Sequence, residues 1–437
     1  MKLRGNMELE PSSDLKKWLK GSATAAAAQR IRQLRKEGKD VIDFTQGRPE
    51  PPDFYLPTGF VRGMVNAVNP RHLSKQRIIY TSVAGIDDLR EVLAKEFSKE
   101  LGVDYSGAEI IVGPGGRALL ETALRAVVDL GDGQDEVLYA TPCWPSYSQL
   151  IKSAGGKPIA IRLKPPHFKL KCGDIERRLL DARLAAVLLN SPNNPTGAII
   201  DGEELEKIAK VMKDRERKKE IPHRKPVALI LDWLYKDITF NRNAKAIVSI
   251  DEHFKDRTII VDGASKTFNA TGLRLAYAAG PKSLIRAMID IQSLRTGNAN
   301  SVAQYGLLAA LTKYSKDTER EVEMFWRRHK KRRDYAYKEL SKVDGLELLR
   351  PEGTFYIWVR VPIGLNKAYQ TDNQLVQALL EKKQVGVIAG EEFDCPGYIR
   401  ISLATSMRNV REGLFRIQEF FEEISNEKFE ENKNIQL

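Results

Sequence analysis

The sequence predicts an α/β fold: a large three-layer αβα domain around a mostly parallel sheet, with a smaller α+β unit toward the C-terminal end. Three observations predict it. Short β-branched apolar runs alternate with helical stretches through the middle of the chain. Those runs are apolar on both sides and end in polar or glycine-rich turns, as in strands buried on both faces. From Ser301 onward the pattern changes to one long helical stretch and then a short mixed series of strands and helices.

Taken in order, "ATAAAAQRIRQLRKEGKDVIDFTQGRPEPP" (Ala23 to Pro52) reads as a helix, a short strand and a proline-rich turn. "EIIVG" (Glu109 to Gly113) is a strand, and a helix follows through "RALLETALRAVVDL". "DEVLYA", "LAAVLLN", "PVALILD" and "RTIIVDG" are the next strands. Ser301 to Leu340 reads as one helical stretch free of proline. "GLELLRPEGTFYIWVRV" then gives two strands about a glycine turn. A helix near Gln374 to Lys383, the strand "YIRISLA" and a terminal helix over Val410 to Ile424 complete the series. The polar end "SNEKFEENKNIQL" is expected to fray. The expected division is residues 1–50 as an arm and small-domain segment, 51–320 as the large domain and 321–437 as the C-terminal small domain.

Composition narrows the function classes. Hydrophobic residues make up 42% and charged residues 29% of 437, an ordinary globular mixture. No apolar run reaches the roughly 18 residues of a membrane span. The segment "MKLRGNMELEPSSDLKKWLK" lacks the apolar core of a secretory signal, so a cytoplasmic location is expected. Cys143, Cys172 and Cys395 are few, distant and odd in number, without metal spacing or a disulfide framework. The net charge of +12 is accounted for by two stretches, Lys207 to Lys225 and "RRHKKRR" from Arg327 to Arg333. Both have helical patterning, where a charge run is usually a solvated face, and neither interleaves aromatics for stacking bases. No nucleic-acid partner is expected.

In a sheet of this kind the ligand sits at the carboxyl ends of the strands, so the residues just beyond each run carry the chemistry. After the first comes "GPGGR" (Gly113 to Arg117), opening a helix, where Gly115 and Gly116 let backbone amides approach an anion. After the second comes "TPCWPSY", with Trp144 on a loop suited to stacking on a flat ring and Tyr147 beyond it. After the third, "SPNNPTG" (Ser191 to Gly197) is a rigid turn whose asparagines can donate to an oxygen anion. After the fourth, "DWLYKD" places Asp232 at the strand end and Tyr235 three residues on. A buried carboxylate there needs a partner, and a protonated ring nitrogen would be one. After the fifth comes "DGASKTFNATGLRLAYAAG" (Asp262 to Gly280), where Lys266 stands among Ser265, Thr267 and Asn269 with Arg274 beyond. A lysine near another cation is the type that forms a Schiff base, and Ser265 with Arg274 suits a phosphate dianion. Any one of these has a bland structural explanation: a surface lysine, a core tryptophan, a tight turn. Together they describe one ligand, pyridoxal 5′-phosphate.

The sequence resembles the class I/II aminotransferase family, fold type I pyridoxal-phosphate enzymes, from about Ala26 to about Phe420. "SPNNPTG" with "SKTFNATGLRLAY" carries most of the resemblance. "YTSVAGIDDLREVLAKEF", "RPEGTFYIWV" and "YIRISLA" extend it. The resemblance implies that Lys266 holds the cofactor as a Schiff base and then moves the substrate's α-proton. It implies that Asp232 keeps the ring nitrogen protonated and that Asn194 and Tyr235 bond the ring's 3′-oxygen. Trp144 stacks on the ring face, while Gly115, Gly116, Arg117, Ser265 and Arg274 hold the phosphate. Arg400 clasps the substrate α-carboxylate, with the backbone at Gly47 closing over it and Trp144 and Asn194 beside it. A tyrosine in the position of Tyr80 reaches the phosphate from the neighbouring subunit, implying a homodimer. The implied partners are an L-amino acid and a 2-oxo acid. Metals are not implied.

Trp233 and Arg48 depart from the family pattern, which often has acidic residues there, and Asp214 to Arg224 resembles an insertion. Arg295, in "SLRTGNANS", lies in the segment that in the family approaches the distal end of the substrate; a rim arginine is the plainer reading. The expected activity is amino-group transfer. The alternative is β/γ-elimination or cyclisation with the same cofactor, since "SKTFN" is also similar to the C–S lyase branch; Arg274 and the Trp144 loop favour transfer.

Overall fold

The computed structural model describes residues 21, 23–69, 78–129, 131, 133–217, 225–240, 244–364 and 369–435, with side chains described from 24 to 426. The strands in chain order are β1 (Ile42–Asp43), β2 (Ile110–Gly113), β3 (Glu136–Thr141), β4 (Lys157–Arg162), β5 (Leu184–Asn190), β6 (Ala228–Asp232) and β7 (Thr258–Gly263). They continue with β8 (Ala276–Ala279), β9 (Glu347–Leu349), β10 (Tyr356–Arg360), β11 (Val385–Gly386), β12 (Ile388–Ala389) and β13 (Tyr398–Ser402). The helices are α1 (Ala23–Lys36), α2 (Thr58–Val68), α3 (Asp87–Leu101), α4 (Gly116–Val127), α5 (Ser146–Ser153), α6 (Cys172–Glu176) and α7 (Gly202–Arg217). Then come α8 (Ala264–Thr267), α9 (Lys282–Arg295), α10 (Ser301–Leu311), α11 (Ser315–Leu340), α12 (Asp372–Lys383) and α13 (Met407–Ile435).

The central sheet has seven strands in the order β2-β8-β7-β6-β5-β3-β4. Neighbours from β4 to β7 pair in parallel, and β8 runs antiparallel to both β2 and β7. Strand β2 therefore runs with the parallel set, and the carboxyl ends of β2, β3, β5, β6 and β7 open on one edge. The strands are apolar because both faces are covered. Alternate residues of β6 show it: Leu229, Leu231 and Trp233 join one core cluster, while Ala228 and Ile230 join the other. The second sheet is antiparallel, β12-β13-β10-β9, over its own apolar core with α12 and α13. The N-terminal segment joins that unit through β1, which pairs in parallel with β11.

Local sequence explains the ends of α3. In α3, Asp87 and Asp88 face the positive N-terminus and Gly102 closes the helix in the left-handed conformation (φ 69°). Its buried Leu89, Leu93, Phe97 and Leu101 recur every fourth residue.

Several expectations are corrected. The stretch from Ser301 to Leu340 is two helices, α10 and α11, with a break at Thr312 to Tyr314. No proline or glycine marks it; the turn brings the Tyr314 side chain against Gly59 of α2, where a Cβ would stand 2.5 Å from that of Tyr314. Strands β4 and β8 were not anticipated. The terminal helix extends beyond Val410 to Ile424 in both directions. The run "RRHKKRR" is a solvated face only in part: Arg327 and Lys331 are exposed, but His329, Arg332 and Arg333 are buried. They lie on one side of α11 at the spacing that also buries Ala336 and Leu340. Of the basic stretch 214–224, α7 covers the part to Arg217, and 218–224 lie outside the described residues. Among the described residues no helix is long and apolar enough to cross a membrane.

Candidate active site

Five loops at the carboxyl edge of the central sheet and one strand of the second sheet bring the predicted groups together. Glycine opens the first loop. Gly115 (φ 103°) precedes α4, and a Cβ there would stand 2.6 Å from the Arg274 guanidinium. Only glycine lets that arginine lie against the N-terminus of α4, where amide dipoles already favour an anion. Gly116 packs on Leu234. Arg274 takes a left-handed backbone conformation itself (φ 52°), a sparsely populated state that clusters at functional sites.

Arg117 follows, its guanidinium 4.9 Å from the centre of the Trp144 ring. Arg117 is exposed as a residue, yet desolvation of its inner part and the neighbouring Arg274 charge lower its pKa. Neither Arg117 nor Arg274 pairs with a carboxylate among the described residues. Two adjacent cations without a counter-ion fit a phosphate dianion. Ser265 is buried at the start of α8, next in the chain to Lys266.

Asp232 ends β6 on the face opposite Trp233, because successive strand residues alternate sides. Trp233 is thus a core residue (1% exposed) pointing away from the site, with Lys236 over its ring. Asp232 is 4% exposed, and burial raises its pKa against the pull of the Tyr147 hydroxyl, the Leu234 amide and Lys266. Tyr147 donates to Asp232 Oδ2 at 2.6 Å. Asn190 donates to the Asp232 carbonyl at 3.1 Å and accepts from the Asn194 amide at 3.0 Å, tying two strand-end loops together.

The Lys266 amine donates to the Gly47 carbonyl and lies 5.5 Å from the Tyr235 ring centre and 5.8 Å from that of Phe355. By area the residue is half-buried, but its amine is enclosed. Burial, then the Arg400 and Arg274 charges, push its pKa down to about 8, with Asp232 opposing. The Tyr235 and Tyr356 hydroxyls meet at 2.8 Å, and burial drives the Tyr235 phenol upward.

Arg400, from β13, is 4% exposed. It donates to Asn194 Oδ1 at 3.0 Å and to the Thr45 carbonyl at 2.7 Å, between the Tyr356 and Phe393 rings (4.3 and 5.0 Å). Its Nε is buried with no partner among the described residues. An orphaned donor on a buried guanidinium fits a carboxylate ligand.

The structure thus gathers Gly47, Gly115, Gly116, Arg117, Trp144, Asn194, Asp232, Tyr235, Ser265, Lys266, Arg274 and Arg400. Tyr80 stands apart: it is 94% exposed and makes none of these contacts. Arg295 pairs with Glu121 at 2.8 Å, and Arg48 pairs with Glu50 at 3.0 Å, so both are engaged outside the site. Tyr147, Asn190, Tyr356 and the Thr45 carbonyl belong to the site without having been assigned to it. All four stand in quoted segments, but none of those segments showed which side chain or carbonyl faces the site. A lysine amine, a buried acid, an aromatic face and a pair of anion-seeking arginines fit pyridoxal 5′-phosphate.

Comparison with known proteins gives the same answer. Residues 40–417 match the family described as aminotransferase class I and II. The chain is 34% identical over 405 residues to an aspartate aminotransferase of Geobacillus stearothermophilus, covering 92% of this chain and 96% of that one. It is 35% identical over 410 residues to a probable aspartate/prephenate aminotransferase of Aquifex aeolicus, covering 93% and 97%. The structure superposes with a TM-score of 0.82 and 30% identity on the aspartate aminotransferase of Thermus thermophilus with maleate, covering 94% and 100%. The chain belongs to the class I and II aminotransferases and is a pyridoxal-phosphate-dependent aminotransferase.

Proposed function

We propose that Lys266, Asp232 and Arg400 carry the amino-group transfer, and that the amino donor is a dicarboxylic L-amino acid of the aspartate type. The observation that carries this reading is that one amine, one buried acid and one buried guanidinium with an unfilled donor converge at the strand ends. The dicarboxylic class rests on the names of the relatives, aspartate and aspartate/prephenate aminotransferases.

When bound, pyridoxal phosphate supplies an aldehyde for the amine and a ring that draws electron density from the substrate's α-carbon. Everything else falls to this chain. Arg117, Arg274, Ser265 and the amides at Gly115 and Gly116 would hold the phosphate. Asp232, kept in place by the Tyr147 hydroxyl and the Leu234 amide, would accept a hydrogen bond from the ring nitrogen. Asn194 and Tyr235 would bond the ring oxygen, and Trp144 would stack on the ring. Arg400 receives the substrate α-carboxylate at Nε, its other nitrogens already fixed by Asn194 and Thr45. That fixes the α-hydrogen toward Lys266, whose lowered pKa lets the Nζ accept the proton and return it near neutral pH.

The proposal includes a homodimer in which Tyr80 completes the neighbouring phosphate site. Its support is the exposure of Tyr80 beside Ile78 (59%) and Ile79 (72%), an apolar surface in need of cover. Mixing inactive Tyr80→Ala with inactive Lys266→Ala is expected to restore activity in mixed dimers, since one site then holds both residues. No recovery after subunit exchange would place Tyr80 in its own subunit's chemistry or in none. The division at residues 1–50, 51–320 and 321–437 is part of the same reading, supported by the β1–β11 pairing. So is a cytoplasmic location, supported by cysteines that are few, distant and odd in number.

The test of substrate class uses single amino acids without any oxo acid. L-aspartate is expected to yield one oxaloacetate per site, with the spectrum moving to that of the aminated cofactor. Release of ammonia and pyruvate from L-cysteine or L-serine on repeated turnover would instead mark an eliminating enzyme.

A further inference from the structure

The inward half of the basic run in α11 serves one segment of chain. That segment, Thr45 to Phe54, crosses the site and offers it two backbone carbonyls: Thr45 to Arg400 at 2.7 Å, and Gly47 to the Lys266 amine. A carbonyl has no side chain to place it. Its position is set by the path of the segment, and so by what holds the segment on either side, the Glu50 amide on the Ala404 carbonyl (3.0 Å) included.

Upstream, Phe44 is held by backbone bonds to Gly386 (2.8 Å) and Ser402 (3.0 Å). Downstream the hold is ionic. Asp53 Oδ2 accepts from Arg332 at 2.5 Å and from the Met407 amide at 3.2 Å, while its carbonyl accepts from Arg328. Arg332 is 2% exposed and also donates to the Thr405 carbonyl at 2.8 Å. The next residue, Phe54, stacks on His329 at 4.2 Å and 12°. The other face of His329 stacks on Phe355, the ring beside Lys266, at 5.3 Å and 25°. Burial pushes His329 down to about 3, so this plate between two rings is neutral. The segment is therefore pinned by an ion pair between a buried guanidinium and a half-buried carboxylate, and by an aromatic sandwich at its far end, with both carbonyls between the two anchors.

We propose that Asp53 and Arg332 are positioning residues of the aminotransferase: their pair sets where the Thr45 and Gly47 carbonyls meet Arg400 and Lys266, and thereby the affinity for the substrate carboxylate. This rests on the reading of Arg400 as the carboxylate-binding residue. Neither residue touches substrate; they act through backbone, and a displacement of an ångström at such contacts is felt strongly.

The experiment uses the holoenzyme and maleate, a dicarboxylate with no amine to transfer. Asp53→Asn and Arg332→Lys are each expected to weaken maleate binding about tenfold and raise KM alike, with kcat within about threefold of wild type. Hydrogen exchange in peptides covering 42–56 should speed up in the same variants without cofactor. Arg30→Ala is the control, because Arg30 and Glu381 form another interelement pair (2.7 Å) away from the segment. It should leave maleate binding unchanged. Maleate affinity within about twofold of wild type in both variants, or a loss matched by Arg30→Ala, overturns the proposal. Arg400→Ala, run alongside, separates the two layers. If it too keeps maleate affinity, the site reading has failed; if it loses affinity while Asp53→Asn does not, only the anchor has. Should a variant not fold, Asp53→Glu, which keeps the charge at a longer reach, takes its place with the same expectations.

Discussion

Replacing Lys266 with alanine is expected to lower turnover by about 10⁴-fold or more while leaving the fold intact, measured by steady-state rates and thermal unfolding. The rate loss follows from removing the one amine that faces both Asp232 and Arg400; positioned proton transfer alone supplies about 10²–10⁴-fold, and the covalent anchor of the cofactor goes with it. The fold survives because the amine contributes no ion pair of its own. It is held among like charges, Arg400 and Arg274, and its pKa falls to about 8 from 10.5. Between those values the unfolded chain binds a proton that the folded apoprotein does not, so apoprotein stability rises with pH through that window. Lys266→Ala should be at least as stable as wild type at neutral pH and should lack that rise. An unfolded variant would mean that the lysine is structural.

Asp232→Asn is expected to reduce kcat by about 10²–10³-fold, the scale of losing one preorganised charge in a desolvated site. The amide keeps the shape and can still accept from Tyr147, so unfolding should be little changed. It cannot keep a ring nitrogen protonated. Tyr147→Phe removes only the hydroxyl that orients the carboxylate and should cost far less, about tenfold. A fall of less than tenfold for Asp232→Asn would assign the buried acid to packing.

The candidate site was legible where chemistry rides on side chains at strand ends. Asp232, Lys266 and Asn194 follow apolar runs whose direction is shared, so one topological rule places them together. Arg400 lies on a different sheet, and no local pattern links it to the others; the family resemblance did. What stayed hidden was carried by backbone or by tertiary override. The Thr45 carbonyl has no residue signature, and the Gly47 backbone was named only through the family resemblance. The reversed strand β8 is a run of Ala-Tyr-Ala-Ala inside a motif already read for its lysine and arginine. The break before α11 depends on Tyr314 meeting Gly59, a contact between distant segments. Charge patterning failed at Arg332 and Arg333, because a guanidinium can be buried when carbonyls, a carboxylate or a ring receive it. Arg333 does so with the Pro351 carbonyl (2.8 Å) and the Phe240 ring (4.4 Å).

The most direct test of the central claim is to reduce the cofactor-loaded wild-type enzyme with borohydride, digest it and find which peptide carries the pyridoxyl mass. The account predicts a single labelled lysine, Lys266, in stoichiometric amount. Label on any other lysine, or none retained, would contradict it.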